Sequence, residues 1–350
     1  MMNPCRTIVT SSLLLLLCIV SLSGCDRPSS DSSFENYSER LASVLETNAP
    51  PPPKTSIPPL PETSDVLQHT QDIRMGLLDA YELRQCGLFQ LIAERNSVLG
   101  KVQDRTRQLR YELLLLDGIG HCLTTLSEDT ILHSQLFDVQ QAKQTDLPRY
   151  FWNMLLAGEE WQKQLKPTHI AFMIDQMPGA TESLESFRGL AQIAQQITAQ
   201  QSVPAKTAES LLTFQEAIHA YRYLGRLFYS MARARDWLNA TTEMLQNQDS
   251  RVHCGPNRNQ QKATYLENVF YKFYIDEIQP YLARLDSQYQ EIAPDLKTLF
   301  ATPQRPDSLT DYQALYIDGT LHLEFHQATL NHVTYWQNLF KRCGIKVGQP

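Results

Sequence analysis

The sequence lacks the short motifs that tie a chain to a known chemistry. It has no GxSxG nucleophile elbow, no GxxxxGKS/T phosphate loop and no HExxH zinc pair, and Gly118-Ile119-Gly120 has no third glycine to complete GxGxxG. No CxxC spacing is present, so a cysteine-built zinc or redox centre has no local scaffold. Basic residues are in deficit, 31 Lys and Arg against 38 Asp and Glu, and the net charge of −7 excludes the phosphate-tracking face of a nucleic-acid binder. Beyond residue 25 the longest purely aliphatic run is residues 113–116, far short of the ~20 needed to span a bilayer. Internal repeats and Gly-rich tracts are missing, and strand signals are few.

What is present begins at the N-terminus. Arg6, a Leu-rich stretch over residues 13–20 and small residues behind it form a secretory leader, residues 1–24. Leu22-Ser23-Gly24-Cys25 closes it. The quartet resembles the lipobox of bacterial lipoproteins. That resemblance implies that Cys25 becomes the first mature residue, carries a diacylglycerol thioether and usually an N-acyl chain, and ties the body to a bilayer. Asp26 matches the residue that favours inner-membrane retention in enterobacterial lipoproteins, with the outer membrane as the alternative; either way the body faces the periplasm.

Cys5 and Cys18 leave with the leader, so Cys86, Cys122, Cys254 and Cys343 remain as an even set in an oxidising compartment, and two disulfides are expected. Residues 258–293 and 309–342 read as an antiparallel helical pair, each roughly 50 Å long at 1.5 Å per residue. The second then ends where the first begins, which pairs Cys254 with Cys343 and leaves Cys86 for Cys122.

Residues 25–33 read as the lipidated Cys and a polar tether, and residues 34–48 as a short amphipathic helix through Phe34, Tyr37, Leu41, Val44 and Leu45. Residues 49–62 hold seven prolines and read as an extended spacer, either holding the body off the lipid or running along it. Residues 63–350 form the helical domain. The fold class is all-α: an elongated multi-helix bundle with long antiparallel helices, as one domain or two packed subdomains. Helices are expected over 102–126, 130–143 and 148–165, the last starting at Pro148. Residues 170–174 read as a strand or a connector. Thr181 with Glu182 and Glu185 opens another helix, 204–248 is the longest uninterrupted pattern, and Ser308 with Asp311 caps the last helix. Pro280 is expected to kink its helix, and Trp152, Trp161 and Trp336 to pack in the core.

The tract Gly76-Leu77-Leu78-Asp79, through Cys86, to residues 91–101 behind the lipobox resembles an uncharacterised family of gammaproteobacterial lipoproteins. The resemblance implies an envelope location and carries no activity, substrate or catalytic residue.

Three constellations are candidates for chemistry. Asp318, His322 and His326 stand at successive i+4 steps, on the same side as Leu315, Val333 and Phe340, and form a ladder. Two imidazoles one turn apart suit zinc or copper with further ligands such as His133 or His219; alternatively Asp318 orients His322 as a general base for hydrolysis, or the pair is polar core. Arg222, Arg226 and Arg233, with Tyr221, Tyr229 and Trp237, suit an anionic ligand or a solvated face. The basic turn Arg251, His253, Arg258 and Lys262 reads as a solvated loop. Tyr-rich residues 265–281 suit a small-molecule pocket between helices. With no catalytic motif and no cofactor implied, the expectation is a non-enzymatic, membrane-anchored interaction or scaffold protein, whose partners are the bilayer through Cys25 and another envelope protein.

Overall fold

The first helix shows how the sequence builds the core. α1, Ser30–Leu45, starts where the Ser29 hydroxyl accepts the Ser32 N–H at 3.1 Å, with Asp31 in the first turn, and it buries Phe34, Tyr37, Leu41, Ala42 and Leu45 on one stripe. The polar stretch before Phe34 is therefore helix from Ser30 onward rather than tether, because the serines of the first turn are small enough to be buried against the bundle. The computed structural model describes residues 29–71, 81, 83–98, 100–255 and 259–346. The leader with Cys25 and Asp26 lies outside the described residues, as do residues 76–79 and Arg258.

The fold is an all-α multi-helix bundle, and among the described residues its other helices are α2 (Thr63–Val66), α3 (Leu88–Asn96), α4 (Arg105–Thr125), α5 (Ile131–Ala157), α6 (Glu159–Leu165), α7 (Ala180–Thr198), α8 (Ala205–Ile218), α9 (Tyr223–Asn247), α10 (Gln261–Val269), α11 (Gln279–Phe300), α12 (Thr310–Tyr312) and α13 (Thr320–Cys343). Among the described residues the only extended pairing is an isolated bridge between Ser29 and Met173, so residues 170–174 are a connector. α1 fills the space between α9, the α10–α11 rod and α13: Phe34 stacks on Trp237, Ser38 Oγ meets Thr241 Oγ1 at 2.6 Å, and Tyr37 packs on Tyr274. α13 runs antiparallel to α10–α11, as expected, with Asp286 beside His322 and Phe270 against Phe340. It also lies along α9 in the same direction, since Arg235 meets Glu324, Thr242 meets His332 and Asp249 meets Arg342.

The Pro-rich segment lies along this body. Leu60 is buried, Tyr316 donates to Pro58 O and Arg233 to Pro53 O. The chain then continues across α5, where Asn153 both accepts from Gln68 N and donates to Gln68 O at 2.8 Å. A smaller core of Leu83, Leu88, Ile92, Tyr111, Leu115, Ile119, Cys122 and Leu136 joins α3 to α4 and α5. Cys86 and Cys122 are disulfide-bonded across it with Cα atoms 5.3 Å apart, and Cys254 and Cys343 are bonded at 4.8 Å. Closing a 36-residue separation contributes roughly 3–4 kcal/mol in the chain-entropy account, which matters for so small a core.

Several helix boundaries differ from the sequence expectation. α5 runs straight through Pro148, so the helices expected over 130–143 and from Pro148 are one. An interior proline costs about 3 kcal/mol. Burying Leu147, Phe151, Trp152, Met154, Leu155 and Leu156 at about 1.5–3 kcal/mol each outweighs it. The pattern over 204–248 breaks between Ile218 and Tyr223. Pro280 is preceded by a π-helical stretch, residues Phe270–Ile278, and Gln279 N–H reaches back to Tyr274 O, so the widened turns lead into the residue that has no N–H to give. The expected last helix is split by a second π segment, Gln313–Ile317, and by Gly319 at φ 101, after which α13 starts in a new phase.

Gly225 marks the tightest crossing. A Cβ there would lie 2.1 Å from Lys166 O, while Thr168 N–H donates to Gly225 O at 3.3 Å. In a free helix Gly→Ala would gain about 1 kcal/mol. Here Gly225→Ala is expected to cost about 1–3 kcal/mol net through overpacking, read as a lower urea midpoint with unchanged slope; a raised midpoint would show that the connector after α6 does not pass there.

Candidate functional site

The histidine ladder is taken apart by the break at Gly319. Asp318 is exposed and accepts from Gln313 Nε2 at 3.4 Å, separated from α13 by a left-handed residue. His322 turns instead to α11, where its Nε2 lies 2.6 Å from Asp286 Oδ1 and Gln290 donates to Asp286 Oδ2 at 2.7 Å. Its ring stacks on Tyr289 at 4.5 Å, and the Tyr289 hydroxyl donates to Tyr316 O. His326 is exposed, its ring centroid 6.4 Å from that of His322. His219 stands beside Glu160 at 3.5 Å and His133 opens α5. Among the described residues no three His, Cys, Asp or Glu side chains converge as metal ligands. What remains at His322 is a half-buried His–Asp pair between two helices.

Two of the three arginines in the stripe are spent on architecture. Arg222 precedes α9 and is exposed. Arg226 donates to Ala171 O at 2.9 Å with its guanidinium 4.6 Å over the Phe172 ring, and burial lowers its pKa. Arg233 pairs with Asp31 at 2.6 Å, reaches Pro53 O and lies over Trp237, whose Nε1 donates to the same carboxylate at 2.8 Å. Tyr229 is buried with its ring edge against His169. The stripe thus clamps α1 and two irregular segments onto α9. In the basic turn, Arg251 donates to Leu45 O and Glu46 O, closing the C-terminus of α1, and Lys262 pairs with Glu46. The Tyr-rich segment is packed solid at Tyr274 and Tyr281, while Tyr265 is exposed. A partly open cavity between α4, α5 and residues 197–203 measures about 60 Å³, well below the 300 Å³ or more of a ligand pocket, while a wide, open depression of about 920 Å³ lies over the basic turn, lined by Arg251, His253, Lys262 and Tyr265.

Two buried polar centres escaped the sequence reading. The first joins α1, α9 and α13 at His332, which is fully buried. Trp336 Nε1 can only donate, and it lies 3.0 Å from the Tyr37 hydroxyl and 3.1 Å from His332 Nε2. Nε2 is therefore the acceptor, taking the Tyr37 O–H at 2.9 Å, and Nδ1–H donates to Thr242 Oγ1 at 2.8 Å. Thr242 passes its own proton to Leu238 O at 2.6 Å. Every proton in this chain has an acceptor, which is what a buried polar network requires. Desolvation pushes the His332 pKa down to about 3, so the ring is neutral. In the second centre, Lys143 on α5 lies 2.8 Å from Glu112 Oε2 on α4, each side chain 5% exposed. Burial raises the Glu112 pKa despite the lysine, and pushes Tyr150 beside it up to about 12. Neither centre opens to solvent far enough to receive a substrate; both lock helices together.

No curated protein matches the chain, and no solved structure does. A family profile does match, over residues 34–347, from the first aromatic residue of α1 to just past Cys343. The chain therefore belongs to the family described as protein of unknown function DUF3080.

Proposed function

We propose that this protein is a lipid-anchored, periplasm-facing envelope protein that works by presenting its helical surface to another envelope component rather than by catalysis. The supporting observation is how the cysteines divide. All four beyond Cys25 are consumed by Cys86–Cys122 and Cys254–Cys343, a chemistry of oxidising compartments, while Cys25 itself follows Leu22-Ser23-Gly24. Asp26 favours the inner membrane as the anchor's location. The non-catalytic reading is supported by the separation of Asp318 from His322 and His326, and by the commitment of Arg226 and Arg233 to internal contacts.

The test is metabolic labelling of the full-length chain in a Gram-negative host with an alkyne palmitate analogue. Label is expected on the native protein and absent from Cys25→Ser. A mature protein with an unmodified thiol at position 25 would overturn the anchor, and crosslinking in intact cells then identifies the envelope partner.

A further inference from the structure

The position where α1 begins restricts which side of the body can meet a membrane. Three residues, 26–28, lie between Cys25 and Ser29, so the tether spans at most about 14 Å fully extended. The bundle is longer than that, since the 24 residues of α13 alone reach about 36 Å. A body held this close has no free choice of orientation.

Ser29 is held in place by the bridge to Met173 and by the Asp31–Arg233 pair next to it. The bridge puts the two backbones about 5 Å apart, and Ile170 is three residues further along the connector, at most about 11 Å on. Ile170 is 69% exposed. The connector beneath it is rigidly backed: Arg226 holds Ala171 O, Phe172 N–H donates to Ser230 Oγ at 2.9 Å, and Arg284 holds Ile174 O. Lys54 follows Pro53, whose carbonyl Arg233 holds, and it is exposed, as is Lys166 at the start of the connector; Asp175 is the exposed acidic group there, and Glu35 and Glu39 are exposed on α1. The C-terminal end of α9, by contrast, lies about 21 Å from the Arg233 level.

We infer that residues 168–173, with Ile170 at the tip and Lys54 on the rim, form the face that rests on the lipid surface. This rests on the acyl anchor proposed above and adds to it an orientation. Ile170 enters the headgroup region, the lysines face lipid phosphates, and the far ends of α9 and α13 point away from the bilayer toward the partner.

The test uses the full-length acylated chain in vesicles of phosphatidylethanolamine and phosphatidylglycerol. A fluorophore is placed on Ile170→Cys or, as a control, on Asn338→Cys, an exposed position near the end of α13. Loss of fluorescence to a headgroup-borne quencher is expected at 170 and not at 338. In the unmutated protein, Lys54 is expected to be protected from an amine reagent on vesicles and to lose that protection in detergent. If the protein floats with vesicles but 170 is not quenched and Lys54 is unprotected, the orientation is wrong while the anchor stands. If it does not float with vesicles at all, the anchor itself has failed.

Discussion

Replacing Tyr37 with alanine is expected to lower the free energy of unfolding by about 4 kcal/mol or more. The ring is fully buried, in edge contact with His332 at 5.7 Å and tilted against Tyr274 at 5.9 Å. Removing a large aromatic side chain from such a site costs about 3–5 kcal/mol in lost transfer energy and residual cavity. The alanine variant also leaves His332 Nε2 without its Tyr37 donor and Trp336 Nε1 without one of its acceptors, and an unsatisfied buried group adds about 1–3 kcal/mol. Against a typical domain stability of about 5–15 kcal/mol, this is a large fraction of the total. Tyr37→Phe separates the two contributions. It keeps the ring and removes the hydroxyl, so its cost is expected to be about 1–3 kcal/mol. Urea unfolding with the disulfides intact measures both. An alanine variant no weaker than an exposed substitution, within about 0.5 kcal/mol of the native protein, would mean that α1 is not part of the central bundle.

The second large effect is acid sensitivity set by His332. The unfolded chain protonates this ring near pH 6.5, whereas burial holds it neutral in the folded protein down to about pH 3. Above 6.5 both states are neutral and the group contributes no pH dependence. As the pH falls below 6.5 the unfolded state binds a proton that the folded state refuses. Stability is therefore present above the unfolded value and falls on acidification, by up to about 1.4 kcal/mol per pH unit until the folded value is reached. Two other groups bear on the curve. Asp249, held low by its hydrogen bonds and charge pairing with Arg342, adds a loss of the same sign below its ordinary value of 3.8. Glu112, raised by burial, works in the opposite direction, its stabilising share being lost as pH rises through its folded value. His332→Gln removes only the first of these. The variant is expected to be weaker at pH 7 and to lose stability less steeply between pH 6.5 and pH 4 than the native protein. Parallel urea midpoints for the two proteins across that range would refute the assignment of a neutral His332.

The fold class and both disulfides were legible because they depend on coarse properties: helical spacing of apolar residues, few strand signals, and the length of two antiparallel helices. The candidate ladder was legible only in part. The break at Gly319 separates Asp318 from the histidines, while His322 and His326, in phase with Val333 and Phe340 as expected, lie on the flank of α13 beside its buried stripe of Leu321, Phe325, Ala328, His332, Trp336 and Leu339. His332 falls on that stripe at regular helical spacing, so the sequence did carry a signal for the buried histidine. Nothing local signals the Glu112–Lys143 pair, because its members sit on different helices and meet only after α4 and α5 pack. The arginines of α9 were visible as a stripe, but their partners Asp31, Pro53 and Ala171 come from segments whose path no periodicity describes.

The 295 positions between Tyr37 and His332 set the order of assembly. On a ribosome adding about 5–20 residues per second, α1 emerges many seconds before the helix that completes its socket. Until α9, the α10–α11 rod and finally α13 have arrived, the apolar stripe of α1 lacks part of its native cover. The central bundle can therefore close only when nearly the whole chain has been released.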